Sequence, residues 1–212
     1  DAGLVDITGL MGQYAHGNEP SHHMAYLYSY VGQPWKTQEL TRRLLDEMYA
    51  PPPEGIIGNE DCGQMSAWYI FSSLGFYPVC PGSNEFVLTA PLFEKATVRL
   101  ANGRTLTVTA DKPRRNRYVG SVTLGGRAID KNFITYDQLM EGGELHFEMV
   151  LQPAFDRASG PDAQPYSLTR GEAVSIPYTT QSVSLFTEPV DVALATTTPG
   201  AEIRYTLDGS EP

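Results

Sequence analysis

The spacing of apolar residues along the 212-residue chain changes period once, near Gly75. Before it the spacing is helical. Met24, Leu27, Tyr28 and Val31 stand at i, i+3, i+4 and i+7, and Pro20 upstream suits a first helical position, where its missing N–H costs nothing. Gly32 ends this stripe, and Gln33-Pro34 bars its resumption. Thr37 reads as the N-cap of a second helix, with Leu40, Leu44, Leu45 and Met48 on one face and Arg42, Arg43, Asp46 and Glu47 outside. Pro51-Pro52-Pro53 blocks the next turn. A third helix, apolar nearly all round, runs through Trp68-Tyr69-Ile70-Phe71 and closes at Gly75. Residues 1–17, rich in glycine with scattered apolar positions, read as the tail of an interrupted helix plus a loop.

After Gly75 the residues alternate in twos. Glu85–Leu88, Ala96–Leu100, Leu106–Ala110, Tyr118–Leu124, Arg127–Ile129, Phe133–Tyr136 and Glu144–Leu151 predict a small antiparallel layer of about six strands packed on the helices, with Asn102-Gly103 as a hairpin turn. Gln152 to Pro177 turns to Pro, Gly, Ser, Asp and Ala and reads as a linker. Val183–Phe186, Val190–Ala195 and Ile203–Tyr205 then open a second β-rich segment. Three strands cannot bury a stable core alone, so this segment looks truncated. The division is 1–80 helical, 81–152 β layer, 153–177 linker and 178–212 second β segment, an α+β chain.

Charge narrows the partners. Fifteen Lys and Arg against 25 Asp and Glu give a net charge of −10, with no basic cluster. That argues against nucleic acid and anionic membrane surfaces and permits a cation or a neutral, hydroxyl-rich ligand. No stretch approaches ~18 consecutive apolar residues, so no transmembrane helix is expected. The chain starts at Asp1 without an initiator Met or a signal peptide and ends abruptly, as a piece of a longer polypeptide would. Cys62 and Cys80 neither build nor exclude a disulfide, and Cys62 reads as buried packing rather than a nucleophile.

Candidate chemistry concentrates in two loops. Gly58-Asn59-Glu60-Asp61-Cys62-Gly63 leads into the third helix, and Asp61 there falls at or just before the helix N-terminus, where backbone dipoles and unpaired N–H groups favour negative charge. Asp61 is a candidate general base or cation ligand; the plainer reading is an N-cap, worth about 1 kcal/mol. Gly17-Asn18-Glu19-Pro20-Ser21-His22-His23 is the other loop. Glu19 and Asn18 are oxygen donors suited to a hard cation or to sugar hydroxyls, and equally suited to a turn and cap. His16, His22, His23 and Cys62 match no zinc-ligand spacing.

Those two loops, with Tyr26-Leu27-Tyr28, Gly32-Gln33-Pro34-Trp35-Lys36-Thr37, Gln64-Met65-Ser66-Ala67-Trp68 and Gly75-Phe76-Tyr77-Pro78-Val79, resemble the C-terminal part of glycoside hydrolase family 92, bacterial exo-acting α-mannosidases, many of them α-1,2-specific, over roughly residues 1–150. Val190–Pro212 resembles the start of a chitobiase/β-hexosaminidase C-terminal module, a β-sandwich. The resemblance implies that residues 1–80 are the last helices of an (α/α)6 barrel, and that the parent is a secreted, periplasmic or cell-surface enzyme that degrades mannose-containing glycans. It also implies calcium-assisted hydrolysis with inversion, which needs an acid and a base ~6.5–9.5 Å apart. The Gly-Asn-Glu-Asp motif then makes Asp61 the base, with Glu60 assisting. Asn18 and Glu19 become calcium ligands, and Asn18, Glu19, His22, His23, Asn59 and Gln64 become sugar contacts. Trp68 is either part of the sugar subsite or core, and Trp35 is packing. The family's general acid lies upstream of these motifs, so this chain alone should be inactive and should expose apolar barrel faces prone to self-association. The alternative is a non-catalytic carbohydrate-binding or accessory fragment.

Overall fold

The computed structural model describes residues 8–168, 174–181 and 186–210. Two compact units divide the chain, Asp1–Tyr166 and Ser167–Pro212.

The first unit begins with a small antiparallel hairpin, β1 (Leu10–Met11) and β2 (Tyr14–Ala15), where a helix tail was expected. A 3-10 turn, Glu19–Ser21, carries Pro20 in its first positions. The segment Met24–Val31 is helical but tightened to 3-10 geometry, and the expected stripe points away from the core. Met24 is 47 % and Val31 63 % exposed, while Ala25, Tyr26 and Ser29 are buried. Periodicity identifies which residues share a face; it does not say which face the core takes.

Helix α1 spans Pro34–Glu47. Pro34 opens it rather than blocking it, since a proline at the first helical position loses no bond. Thr37, expected as the cap, is instead fully buried inside the helix and accepts a hydrogen bond from Ser29 Oγ at 3.2 Å. Arg42, expected outside, is buried: its guanidinium donates to the carbonyls of Pro113 (2.8 Å) and Pro91, and burial lowers its pKa. Gln38 joins the same polar contact by accepting the Val119 N–H at 3.0 Å. This face of α1 meets the β layer, and side chains satisfy the backbone groups buried there.

Helix α2 (Gln64–Leu74) ends at Gly75 as predicted, with the Gly75 N–H returning to Phe71 and Ser72 carbonyls. The β layer is two sheets, not one. Strands β3 (Phe76–Tyr77), β4 (Glu85–Leu88) and β9 (Phe133–Thr135) form a three-stranded antiparallel sheet. Strands β5 (Lys95–Arg99), β6 (Thr105–Ala110), β7 (Tyr118–Leu124), β8 (Arg127–Ala128) and β10 (Gly143–Val150) form the other in the order β5-β6-β10-β7-β8. Here β10 inserts between β6 and β7 and runs parallel to β6, so the expected all-antiparallel layer is mixed. Its Leu145, Phe147 and Met149 fill the middle of the core, which favours the central place over an edge. A short helix α3 (Tyr136–Glu141) follows β9, started by a Thr135/Gln138 capping box.

Residues 153–166, read from composition as linker, are docked on the first unit. Trp35 packs edge-on to Phe155, with ring centres 5.1 Å apart, Arg157 donates to the Ile129 carbonyl at 3.2 Å, and the Tyr166 N–H meets Glu85 at 2.7 Å. In the second unit, among the described residues, β11 (Tyr178–Thr179) and β12 (Leu194–Ala195) are the strands that pair, antiparallel. Residues 203–205 form no strand, and most of the expected 183–186 strand lies outside the described residues.

Candidate functional site

Two loops meet at glycines. A Cβ placed on Gly58 would lie 2.8 Å from the Gly17 Cα, so the chains that carry Asn18-Glu19 and Asn59-Glu60-Asp61 touch backbone to backbone. Close approach without side chains is the physical reason for glycine at both positions.

The second loop reverses sharply before α2. Asp61, Cys62 and Gly63 take φ of +26°, +58° and +82° in succession, a conformation costly for the two that carry a Cβ. The Glu60 carbonyl accepts from the Gly63 and Gln64 N–H groups, both at 3.1 Å. Its carboxylate accepts from the Ser66 N–H at 3.1 Å and the Ser66 hydroxyl at 2.9 Å. Glu60 therefore satisfies the first turn of α2, the capping role that the sequence offered to Asp61. Asp61 is exposed; its carbonyl accepts from the Gln64 N–H at 3.2 Å, but its carboxylate has no hydrogen-bond partner among the described residues, nor has the exposed Asn59 side chain. Cys62 is exposed too, contrary to the packing expectation, and both cysteines are free.

In the first loop, Asn18 Nδ2 donates to Ser21 Oγ at 2.8 Å and the Asn18 backbone carbonyl accepts from the Ser21 N–H at 2.9 Å, while the side-chain oxygen Oδ1 has no partner among the described residues. Glu19 Oε1 is buried and has no partner among the described residues. A buried carboxylate oxygen without a donor is costly unless something else fills the place. Asn18 and Glu19 thus supply two oxygens of the kind a hard cation takes, and calcium would need four to six more. Among the described residues no group of three His, Cys, Asp or Glu side chains could hold a metal, so the zinc arrangement finds no support.

Beneath the loops lies a buried aromatic and polar network. His16 is fully buried, its ring stacked 4.8 Å from His22 and 4.5 Å edge-on to Trp68. Tyr49 hydroxyl donates to the Met65 carbonyl at 3.1 Å, so it accepts from His16 Nε2 at 2.7 Å. His16 Nδ1 is then the acceptor for Tyr14 hydroxyl at 2.8 Å. Burial, then the neighbouring His22, hold the His16 pKa down at about 3. Burial also lowers His22, against the opposing pull of its bond to the His16 carbonyl and of Glu19 nearby. Burial raises Tyr14 and Tyr49 well above their ordinary range.

The sequence-predicted residues therefore separate. The folds of the two loops bring Asn18, Glu19, Asn59, Glu60, Asp61 and Gln64 to one end of the helices. His22 is only 2 % exposed and both its ring nitrogens are engaged, one by the His16 carbonyl and one by Gln64, so the expected direct sugar contact has no nitrogen to make it. His23 is half-buried at the start of the 24–31 helix. Trp68 is core, its indole donating to the His22 carbonyl at 3.2 Å. Tyr14, Tyr49, Ser66 and Tyr77 join the network without having been foreseen there, and His16, weighed only as a zinc ligand, is its buried centre. Ser66, six residues after Glu60, was the most accessible of them, because a carboxylate just before a helix seeks a donor in the first turn.

The two carboxylate-bearing loops both fall within the stretch that matches a known catalytic domain. Residues 2–151 match the glycosyl hydrolase family 92 catalytic domain, and the chain belongs to that family. Residues 181–212 match the chitobiase/beta-hexosaminidase C-terminal domain. A GH92 α-mannosidase from Bacteroides thetaiotaomicron, solved in complex with mannoimidazole, is 45 % identical and superimposes with a TM-score of 0.76 over 79 % of this chain and 22 % of its own. An inverting GH92 mannosidase from the same species is 46 % identical, with a TM-score of 0.69 over 74 % of this chain and 21 % of its own. A secreted glycosidase from Arthroderma benhamiae is 29 % identical over 137 residues, 63 % of this chain and 18 % of that protein. The chain thus spans about a fifth of the length of these relatives. Among the described residues no helix is long and apolar enough to cross a membrane.

Proposed function

We propose that this chain is the C-terminal part of the catalytic domain of a secreted α-mannosidase, one that hydrolyses α-mannosides, α-1,2-linked ones foremost, with inversion at the anomeric carbon. Asp61 is the general base. The observation that carries this is the division of labour between adjacent carboxylates: Glu60 is spent on Ser66, whereas Asp61 is exposed on a positive-φ backbone and its carboxylate has no hydrogen-bond partner among the described residues. Strain of that kind persists where surrounding structure enforces it, and it often marks functional positions. Asp61 takes a proton from the attacking water on the face opposite the leaving group. Glu60, fixed by two bonds, holds the loop that aims it. The matching general acid comes from the upstream part of the polypeptide.

Asn18 and Glu19 would hold calcium, to which the orphaned Glu19 Oε1 and the unpartnered Asn18 Oδ1 are suited. Bound there, calcium supplies a fixed charge for the vicinal 2- and 3-hydroxyls of mannose. The exposed stripe Met24, Leu27 and Val31 fits a helix that the remaining barrel helices of the parent would cover.

Mannose release by the full-length polypeptide tests this reading. Asp61→Asn should lower kcat by roughly 10²–10⁴-fold with folding intact, and chelation should abolish activity until calcium is returned. Undiminished turnover by Asp61→Asn removes the assignment.

A further inference from the structure

His22 is excluded as a direct ligand, yet its hydrogen bonds run in one direction and fix a neighbour. Its Nε2 lies 3.0 Å from the His16 carbonyl oxygen, an acceptor, so Nε2 must carry the proton. In the neutral ring Nδ1 is then bare and accepts. The group facing it at 3.2 Å is the side-chain amide of Gln64, which must present N–H. The second Gln64 N–H goes to the Tyr77 hydroxyl at 3.1 Å. Both amide donors are thereby turned inward. Gln64 Oε1 has no partner among the described residues and is not sealed from solvent. Gln64 is the first residue of α2, and its N–H bonds Glu60 and Asp61 carbonyls; its side chain reaches across to His22, the residue that closes the Glu19–Ser21 turn.

We infer that His22 is a positioning residue: its bare Nδ1 locks the Gln64 amide so that this side chain meets a ligand between the two loops only as a hydrogen-bond acceptor, selecting a hydroxyl donor. The His16 carbonyl sets the His22 tautomer, His22 sets the amide, and the amide sets the polarity of the contact. This rests on the mannoside reading for the identity of the ligand but not for the orientation of the amide.

Two measurements separate these parts. Long-range ¹H–¹⁵N spectra of the histidine-labelled full-length polypeptide should show the His22 proton on Nε2 and none on Nδ1; a proton on Nδ1 overturns the inference whatever the protein binds. Calorimetric titration with mannoimidazole then compares two variants. His22→Asn places an oxygen where Nδ1 stood and keeps the acceptor for Gln64. His22→Gln keeps the donor to the His16 carbonyl and loses that acceptor, so the amide is free to turn its N–H outward. Affinity should stay within roughly threefold in His22→Asn and fall by roughly tenfold in His22→Gln. Equal losses in both variants would mark a merely structural role and overturn the inference, as would no loss in His22→Gln. Should either variant fail to fold, the spectrum of the unaltered protein still decides. A protein with the Nε2 proton that binds no mannoimidazole overturns the sugar reading and leaves the amide orientation standing.

Discussion

Gly17-Asn18-Glu19 and Gly58-Asn59-Glu60 begin alike, touch at their glycines, and part company at the fourth residue. Pro20 carries the first loop into a 3-10 turn that leaves Glu19 Oε1 buried without a partner. Asp61 carries the second through a positive-φ reversal that seats Glu60 on Ser66. The same tripeptide thus yields an orphaned oxygen in one place and a satisfied cap in the other. What a carboxylate does is decided by the donors that the following turn brings to it, not by the motif that contains it.

The glycine contact is where the comparison breaks most easily. Gly58→Ala would put a methyl 2.8 Å from the Gly17 Cα and 2.9 Å from Thr8 Oγ1, at a φ of +80°. Backbone cannot yield as a long side chain can, so clash adds to conformational strain, about 3 kcal/mol in all. Gly82→Ala, also at positive φ but with open space around it, serves as the control and should cost about 1 kcal/mol. Equal urea midpoints for the two variants would mean the loops are not pressed together.

Acid should loosen what both loops rest on. His16 is held neutral, with a pKa of about 3 against 6.5 in the unfolded chain. Above pH 6.5 both states are neutral and the group is silent. Below it the unfolded chain binds a proton that the folded one refuses, so stability falls as pH drops from 6.5 toward 3, by about 1.4 kcal/mol per unit. His22, lowered as well, pulls the same way. Urea unfolding at pH 8, 6.5 and 5 reads the slope; the interval above pH 5 keeps most carboxylates out of the reading. A flat profile would contradict the buried, neutral assignment.

How much of this could be read beforehand follows from the range of the interactions involved. Helix α2 and its glycine stop were legible because an apolar run and a closing residue are local. So were the individual strands. The place of β10 between β6 and β7 was not, since strand order is fixed by core packing among residues tens of positions apart. The 24–31 stripe was recognisable, but its direction, away from the core, was not, because spacing alone does not say which face is buried. Arg42 looked like a surface cation because its acceptors, Pro91 and Pro113 carbonyls, lie 49 and 71 residues away. At the site, the motif named Glu19, Glu60 and Asp61 and set Asp61 as base with Glu60 assisting, but not the bonding of Glu60 to Ser66, which needs the backbone reversal. His16 escaped notice as a structural centre because Tyr49 reaches it from 33 residues further on.

Ser66 tests the satisfied half of the comparison. Ser66→Ala removes the hydroxyl donor at 2.9 Å and keeps the N–H bond, so Glu60 loses one of two partners. A loss of about 1 kcal/mol is expected in thermal or urea unfolding. In the full-length polypeptide turnover should fall as well, because the loop that aims Asp61 is less firmly held. Unchanged stability would show that the Ser66 hydroxyl adds nothing to the hold of the N–H bond on Glu60.

The smallest effect distinguishes the two asparagines. Asn18 donates to Ser21 Oγ and so braces the Glu19 turn, whereas Asn59 is exposed with no such bond among the described residues. Asn18→Ala should therefore cost about 1 kcal/mol and Asn59→Ala less than about 0.5 kcal/mol in urea unfolding without added calcium. Added calcium should widen the gap: if Asn18 supplies a metal oxygen, its loss also removes part of the binding free energy that stabilises the folded state, and replacing Asn59 does not. A gap that calcium leaves unchanged would take Asn18 out of the metal site while leaving its bracing role intact.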